Sequence, residues 1–143
     1  MSNKTIIIAE VGVNHNGNIN IAKKLILAAK KINANYVKFQ CYKTEKIVHN
    51  EAKLAEYQLK SNAKYKNQFQ MLKQLELKQK DIKILNRYAK KNEISFMCSV
   101  FDLDSANFIN KLNNDYIKIP SGEITNIQLL KLGGSFKKKI IIS

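Results

Sequence analysis

Residues 5–40 read TIIIAEVGVNHNGNINIAKKLILAAKKINANYVKFQ, and this stretch decides the fold. Thr5 to Val11 is an apolar run interrupted only by Glu10, the pattern of a strand covered on both faces. Gly12 and Asn14-His15-Asn16-Gly17 make a turn-rich loop, after which Asn18 can cap a helix. Ile21, Ala22, Leu25, Ala28, Ala29 and Ile32 then recur at helical spacing until Asn33-Ala34-Asn35 stops the helix. Tyr36-Val37-Lys38-Phe39-Gln40 reads as a second strand, and a strand, a helix and a strand with a short return imply parallel pairing.

Outward from this unit the alternation continues. Residues 41–65 form a long polar connection with a short helix expected near Glu51 to Leu59, and loops of that length are usually functional. Helical spacing returns at Phe69, Leu72 and Leu75 and again at Ile82, Leu85, Tyr88 and Ala89. Ile94 to Val100 reads as a third strand, Asp104 to Leu112 as a helix, Tyr116 to Ile119 as a fourth strand, Ile127 to Leu132 as a short helix, and Lys139 to Ile142 as a fifth strand. Such an α/β chain either winds both ways into an open sheet or closes as a barrel, and the pattern does not choose between them.

Composition narrows the function classes. With 45% hydrophobic and 25% charged residues over 143 positions, the chain is one soluble domain or part of one. Its apolar runs fall short of the ~18 residues of a membrane span, so a cytoplasmic location is expected, with no membrane partner. Cys41 and Cys98, each in or beside an apolar run, read as buried free thiols. Twenty-five Lys+Arg against eleven Asp+Glu give a net charge of +14, but Arg87 is the lone arginine, whereas base-edge readout favours the guanidinium fork. The lysines are scattered, so no nucleic-acid partner is expected, and the excess is a solvated surface with some attraction for anionic substrates. His15 and His49 have no metal-ligand spacing, and His15 is expected to stabilise its loop through a hydrogen bond. Phe69, Tyr88, Phe96, Phe101 and Phe108 fall at core spacing and read as packing.

Ligands of parallel α/β folds bind at the carboxyl ends of the strands. Glu10 ends the first strand, Lys38 and Gln40 the second, Ser99 the third and Lys118 the fourth, with Ser121-Gly122-Glu123 following at once. Two carboxylates, two lysines, an amide and hydroxyls on one rim suit a polyanionic substrate and a proton transfer. Lys38 on an otherwise apolar strand needs a partner, either a bound phosphate or Glu10.

These residues also carry a resemblance. Ile7-Ile8-Ala9-Glu10-Val11-Gly12-Val13-Asn14-His15-Asn16-Gly17 resembles the opening of N-acetylneuraminate (sialic acid) synthases, and Val37-Lys38-Phe39-Gln40 resembles their second-strand signature. Ala55-Glu56-Tyr57-Gln58, the run from Met71 to Leu77, that from Phe96 to Asp102, and Lys118-Ile119-Pro120-Ser121-Gly122-Glu123-Ile124-Thr125-Asn126 follow in the same order. Legionaminate synthases are a close alternative. Cys98-Ser99-Val100-Phe101 stands where the family usually has Ser-Thr-Pro-Phe, keeping the hydroxyl and losing the proline.

The resemblance implies a (β/α)8 TIM barrel, of which residues 1–143 would be the N-terminal portion with about five of the eight β/α units; the C-terminal barrel half and a small antifreeze-like domain would be absent. It implies condensation of phosphoenolpyruvate with an N-acyl mannosamine-type sugar to a nonulosonic acid and phosphate, assisted by a divalent metal, Mn or Mg, and a homodimeric full-length enzyme. Lys38, Ser99, Lys118, Ser121 and Ser143 would bind phosphoenolpyruvate, Gln40 the sugar side, and Glu123 and Glu10 would be the catalytic carboxylates. The metal ligands would lie outside these residues, so a truncated or split form inactive alone is expected, and a fragment with apolar strand faces meant for a closed interior should be unstable or prone to associate. A non-catalytic anion-binding or regulatory module is the alternative.

Overall fold

The computed structural model describes residues 5–54 and 65–143. In chain order it comprises β1 (Ile8–Gly12), α1 (Ile19–Lys31), β2 (Tyr36–Cys41), α2 (Thr44–Ile47), α3 (Gln68–Leu75), α4 (Gln79–Lys91), β3 (Ser95–Val100), α5 (Leu103–Asn110), β4 (Tyr116–Ile119), a 3-10 turn (Ser121–Glu123), α6 (Ile127–Gly134) and β5 (Lys139–Ile142). The strands form one parallel sheet in the order β1-β2-β3-β4-β5.

That order answers the question left open by the sequence. Parallel crossovers are right-handed, so a sheet that always adds its next strand on the same side places every crossover helix on one face. A doubly wound sheet reverses its strand order and covers both faces. Here there is no reversal among the described strands, which is the winding of a barrel wall.

Burial follows this geometry. Val37, Phe39 and Cys41 of β2 and Ile117 and Ile119 of β4 are buried, whereas Tyr36, Lys38, Gln40, Tyr116 and Lys118 between them are only half-buried. The buried set packs against Ala22, Ile26 and Ala29 of α1, Ile82, Leu85 and Ala89 of α4, Ala106 and Ile109 of α5, and Leu129 of α6. Phe39 and Phe96 stack within this layer at 5.4 Å between ring centroids. Cys41 and Cys98 lie in it as buried free thiols, and burial pushes the Cys41 thiol up to about 12.

The helices begin where their caps allow. The Asn18 side chain accepts the N–H groups of Asn20 and Ile21 (2.8 and 3.2 Å) and starts α1, and Lys30 and Lys31 lie in its last turn, where the helix dipole favours cations. The buried stripe of α1 is Ala22, Ile26 and Ala29; Ile21 and Ile32, expected to belong to it, are exposed.

Three expectations are corrected. β1 begins at Ile8, and Ile6 and Ile7 are about half exposed (51% and 53%), because an edge strand of a singly wound sheet is covered on one face only. The face away from the helices is largely polar, carrying Glu10, Lys38, Gln40, Ser99 and Lys118, and so is not the apolar surface expected for a closed interior. A short helix stands at Thr44–Ile47, where none was expected; of the helix expected near Glu51 to Leu59, Glu51 to Leu54 is not helical, and the rest, with Ala55-Glu56-Tyr57-Gln58, lies outside the described residues.

Candidate active site

The polar face of the sheet assembles most of the residues picked out by strand ends. Register places Glu10 beside Lys38, Gln40 beside Ser99, and Ser99 beside Lys118, so alternate residues of four adjacent strands point the same way. The Lys38 ammonium, its side chain only 13% exposed, pairs with the Glu10 carboxylate and donates to Ser99 Oγ at 3.0 Å. Lys118 Nζ donates to Ser143 Oγ at 2.6 Å. The result is two ammonium–hydroxyl pairs on one surface, of which, among the described residues, only the first has an acidic ion-pair partner.

These groups sense one another. Burial lowers the pKa of Lys118, the neighbouring positive charge of Lys38 lowers it further, and Glu10 acts in the opposite direction. Two lysines and two hydroxyls held together in this way are groups of the kind that can pair with an anion.

Gly12 keeps this corner open. It has φ +53°, a left-handed conformation that suits glycine, and a Cβ there would come within 3.3 Å of Glu10 Oε1 and 3.7 Å of Gln40 Nε2. The ends of the Glu10 and Gln40 side chains thus both lie next to Gly12, at the bulge of β1.

His15 is nearby in the chain but not on this surface. Its ring is buried (1% exposed) with its centroid 6.1 Å from that of Phe39, and Nδ1 accepts the Gly17 N–H at 3.0 Å. It supports the loop, as the sequence led one to expect. Burial lowers its pKa, opposed by a hydrogen bond with the Gly12 backbone.

The model of the NeuB family matches residues 25–143. The chain belongs to the NeuB family. It is 49% identical over 140 residues to the N,N'-diacetyllegionaminic acid synthase of Campylobacter jejuni, covering 98% of this chain and 42% of that protein. It is 44% identical to the synthase of the same name from Legionella pneumophila, covering 96% of this chain and 38% of that protein. Among solved structures, the N-acetylneuraminic acid synthetase of Leptospira borgpetersenii superposes with a TM-score of 0.78 at 26% identity, over 99% of this chain and 47% of that one. The chain therefore spans less than half the length of the relatives it matches, and the resemblance to sialic and legionaminic acid synthases is borne out at the level of the family.

Within this NeuB-family rim, Ser121 and Glu123 take a different place from the lysines. They lie in the 3-10 turn directly after β4, with Ser121 exposed, and Glu123 Oε2 accepts from Asn126 Nδ2 at 2.8 Å. Asn126 is a residue to which sequence reasoning gave no role. Its signal was present, since an Asn directly before an apolar helix is a cap candidate.

The donor set does not fit a metal. Among the described residues no group of three or more His, Cys, Asp or Glu side chains is arranged to hold an ion. Glu10 is engaged by Lys38, Glu123 by Asn126, and His15 Nδ1 by a backbone N–H.

Proposed function

We propose that this surface binds phosphoenolpyruvate and that the chain serves the condensation of phosphoenolpyruvate with an open-chain N-acyl mannosamine-type sugar, giving a nonulosonic acid and phosphate. The observation that carries the reading is the pair of ammonium–hydroxyl groups, Lys38 with Ser99 and Lys118 with Ser143, on one polar sheet face of a NeuB-family chain. Phosphoenolpyruvate is a compact polyanion, and adjacent lysines and hydroxyls are suited to its phosphate and carboxylate.

In this reading the five strands are the first of an eight-stranded barrel, the site lies at the carboxyl ends of its strands, and the enzyme acts in the cytoplasm as a homodimer. Lys38 and Lys118 hold the anion, with Ser99, Ser143 and Ser121 donating to its oxygens. The methylene carbon of phosphoenolpyruvate forms a bond to the aldehyde carbon of the sugar, and the aldehyde oxygen takes up a proton from Glu123. Water then adds to the former enol carbon, losing a proton that restores Glu123, and the bond from that carbon to the phosphate oxygen breaks with release of phosphate. Glu10 balances the charge of Lys38 and, with Gln40, faces the sugar.

The test is a chimera in which residues 1–143 replace the matching stretch of the Campylobacter jejuni relative. Incubated with phosphoenolpyruvate and a panel of N-acyl mannosamine-type sugars, it should release phosphate together with a nonulosonic acid. Failure with every sugar, while the unaltered relative turns over in parallel, would overturn the reading. The 143-residue chain assayed alone should give no product.

A further inference from the structure

A carboxylate that delivers a proton must point the same way in every encounter. Glu123 is carried by a three-residue 3-10 turn, a short element with little stiffness of its own. Its hold comes from Asn126, the N-cap of α6.

The two ends of the Asn126 amide are committed in opposite senses. Oδ1 accepts the Leu129 N–H of the first helical turn at 3.1 Å, and Nδ2 donates to Glu123 Oε2 at 2.8 Å. The backbone repeats the link, since the Asn126 N–H donates to the Glu123 carbonyl at 3.0 Å and its own carbonyl accepts from Leu130 at 3.0 Å. The anchor behind it is firm: Leu129 is fully buried, and Gly133 of the same helix lies so close to Ile119 that a Cβ would meet its Cδ1 at 3.0 Å. Among the described residues the second carboxylate oxygen of Glu123 has no protein partner, which leaves it to the reaction.

We propose that Asn126 is a positioning residue: by capping α6 with its oxygen and holding one oxygen of Glu123 with its nitrogen, it couples the orientation of that carboxylate to a packed helix. The role rests on the function proposed above. Asparagine serves both contacts with separate atoms, Oδ1 for the cap and Nδ2 for the carboxylate, whereas Asp offers the cap acceptor and no donor. Asn126 also borders a hollow of about 240 Å³ lined by Lys46, Asp102, Asp104 and Gln128, so small polar replacements remain hydrated.

Asn126→Asp retains the cap and removes the donor, and Asn126→Gly removes the donor at a position where glycine is still tolerated as a cap. In the chimera both should melt as the unsubstituted protein does, keep the KM for phosphoenolpyruvate, which the lysines hold, and lose about 10–100-fold in kcat. Unchanged kcat in either variant would overturn the positioning role alone, whereas no turnover with Asn126 intact would overturn the functional reading together with the role. The contact is read separately in the 143-residue chain: Glu123→Gln should shift the Asn126 side-chain amide resonances in a nitrogen-15 correlation spectrum, and unmoved resonances would refute the inference whatever the assay shows.

Discussion

At the scale of single residues, the polar face of the sheet turns on how Lys38 and Lys118 are held. Lys38 stood out because a charge on an apolar strand needs a partner, and it has two, Glu10 and Ser99. That Lys118 is held below the ordinary lysine range by burial and by Lys38 depends on the strand order, which no local pattern reports. His15 gives a prediction of the same kind. Its folded pKa is below the ordinary imidazole value of 6.5, so the unfolded chain takes up the proton first as pH falls. Stability present above that value is therefore lost as pH drops through it toward the folded pKa. Thermal melting followed from pH 7.5 to 5 should show a loss that is reduced in His15→Gln, measured against each protein's own value at pH 7.5. An identical pH dependence in both would contradict the burial of a neutral ring.

Among the elements, the long helices and the strands were readable because their own sequence specifies them. The spans of α1, β4 and β5 match the expected bounds, apolar spacing and caps being local signals. α2 was not foreseen for the opposite reason: it has four residues, and its start is fixed by distant carboxylates. Asp102 Oδ2 accepts the Lys43 N–H at 2.9 Å, and Glu76 Oε2 accepts the Thr44 N–H and hydroxyl at 3.0 and 2.6 Å. Lys73 adds an ion pair to Glu45 at 2.6 Å. Asp102 is also the cap of α5, taking the Ser105 N–H at 2.8 Å and its hydroxyl at 2.7 Å. Asp102→Ala should cost about 2–3 kcal/mol in denaturant unfolding, because a buried cap and a backbone donor are both left without their acceptor. A loss under half a kcal/mol would show that the junction between β2 and α5 is held some other way.

For the whole molecule, the singly wound sheet leaves β1 and β5 as its edges, with Ile6, Ile7 and Ile142 about half exposed beside them. Exposed strand edges template pairing, while a net charge of +14 opposes close approach of two copies. Screening shortens the reach of that repulsion from about 10 Å at 0.1 M salt to about 3 Å at 1 M. The 143-residue chain should accordingly sediment as larger species when salt is raised over this range, and a monomer at both concentrations would contradict the role assigned to the edges.

The strand order also gathers the groups proposed to bind the anion, and the functional reading stands on that gathering. Calorimetric titration of phosphoenolpyruvate into the chain and into its Lys38→Ala and Lys118→Ala variants tests it directly. The account predicts binding by the unsubstituted chain and a weakening of about tenfold or more in each variant; equal affinity in all three, or no binding by the first, would contradict it.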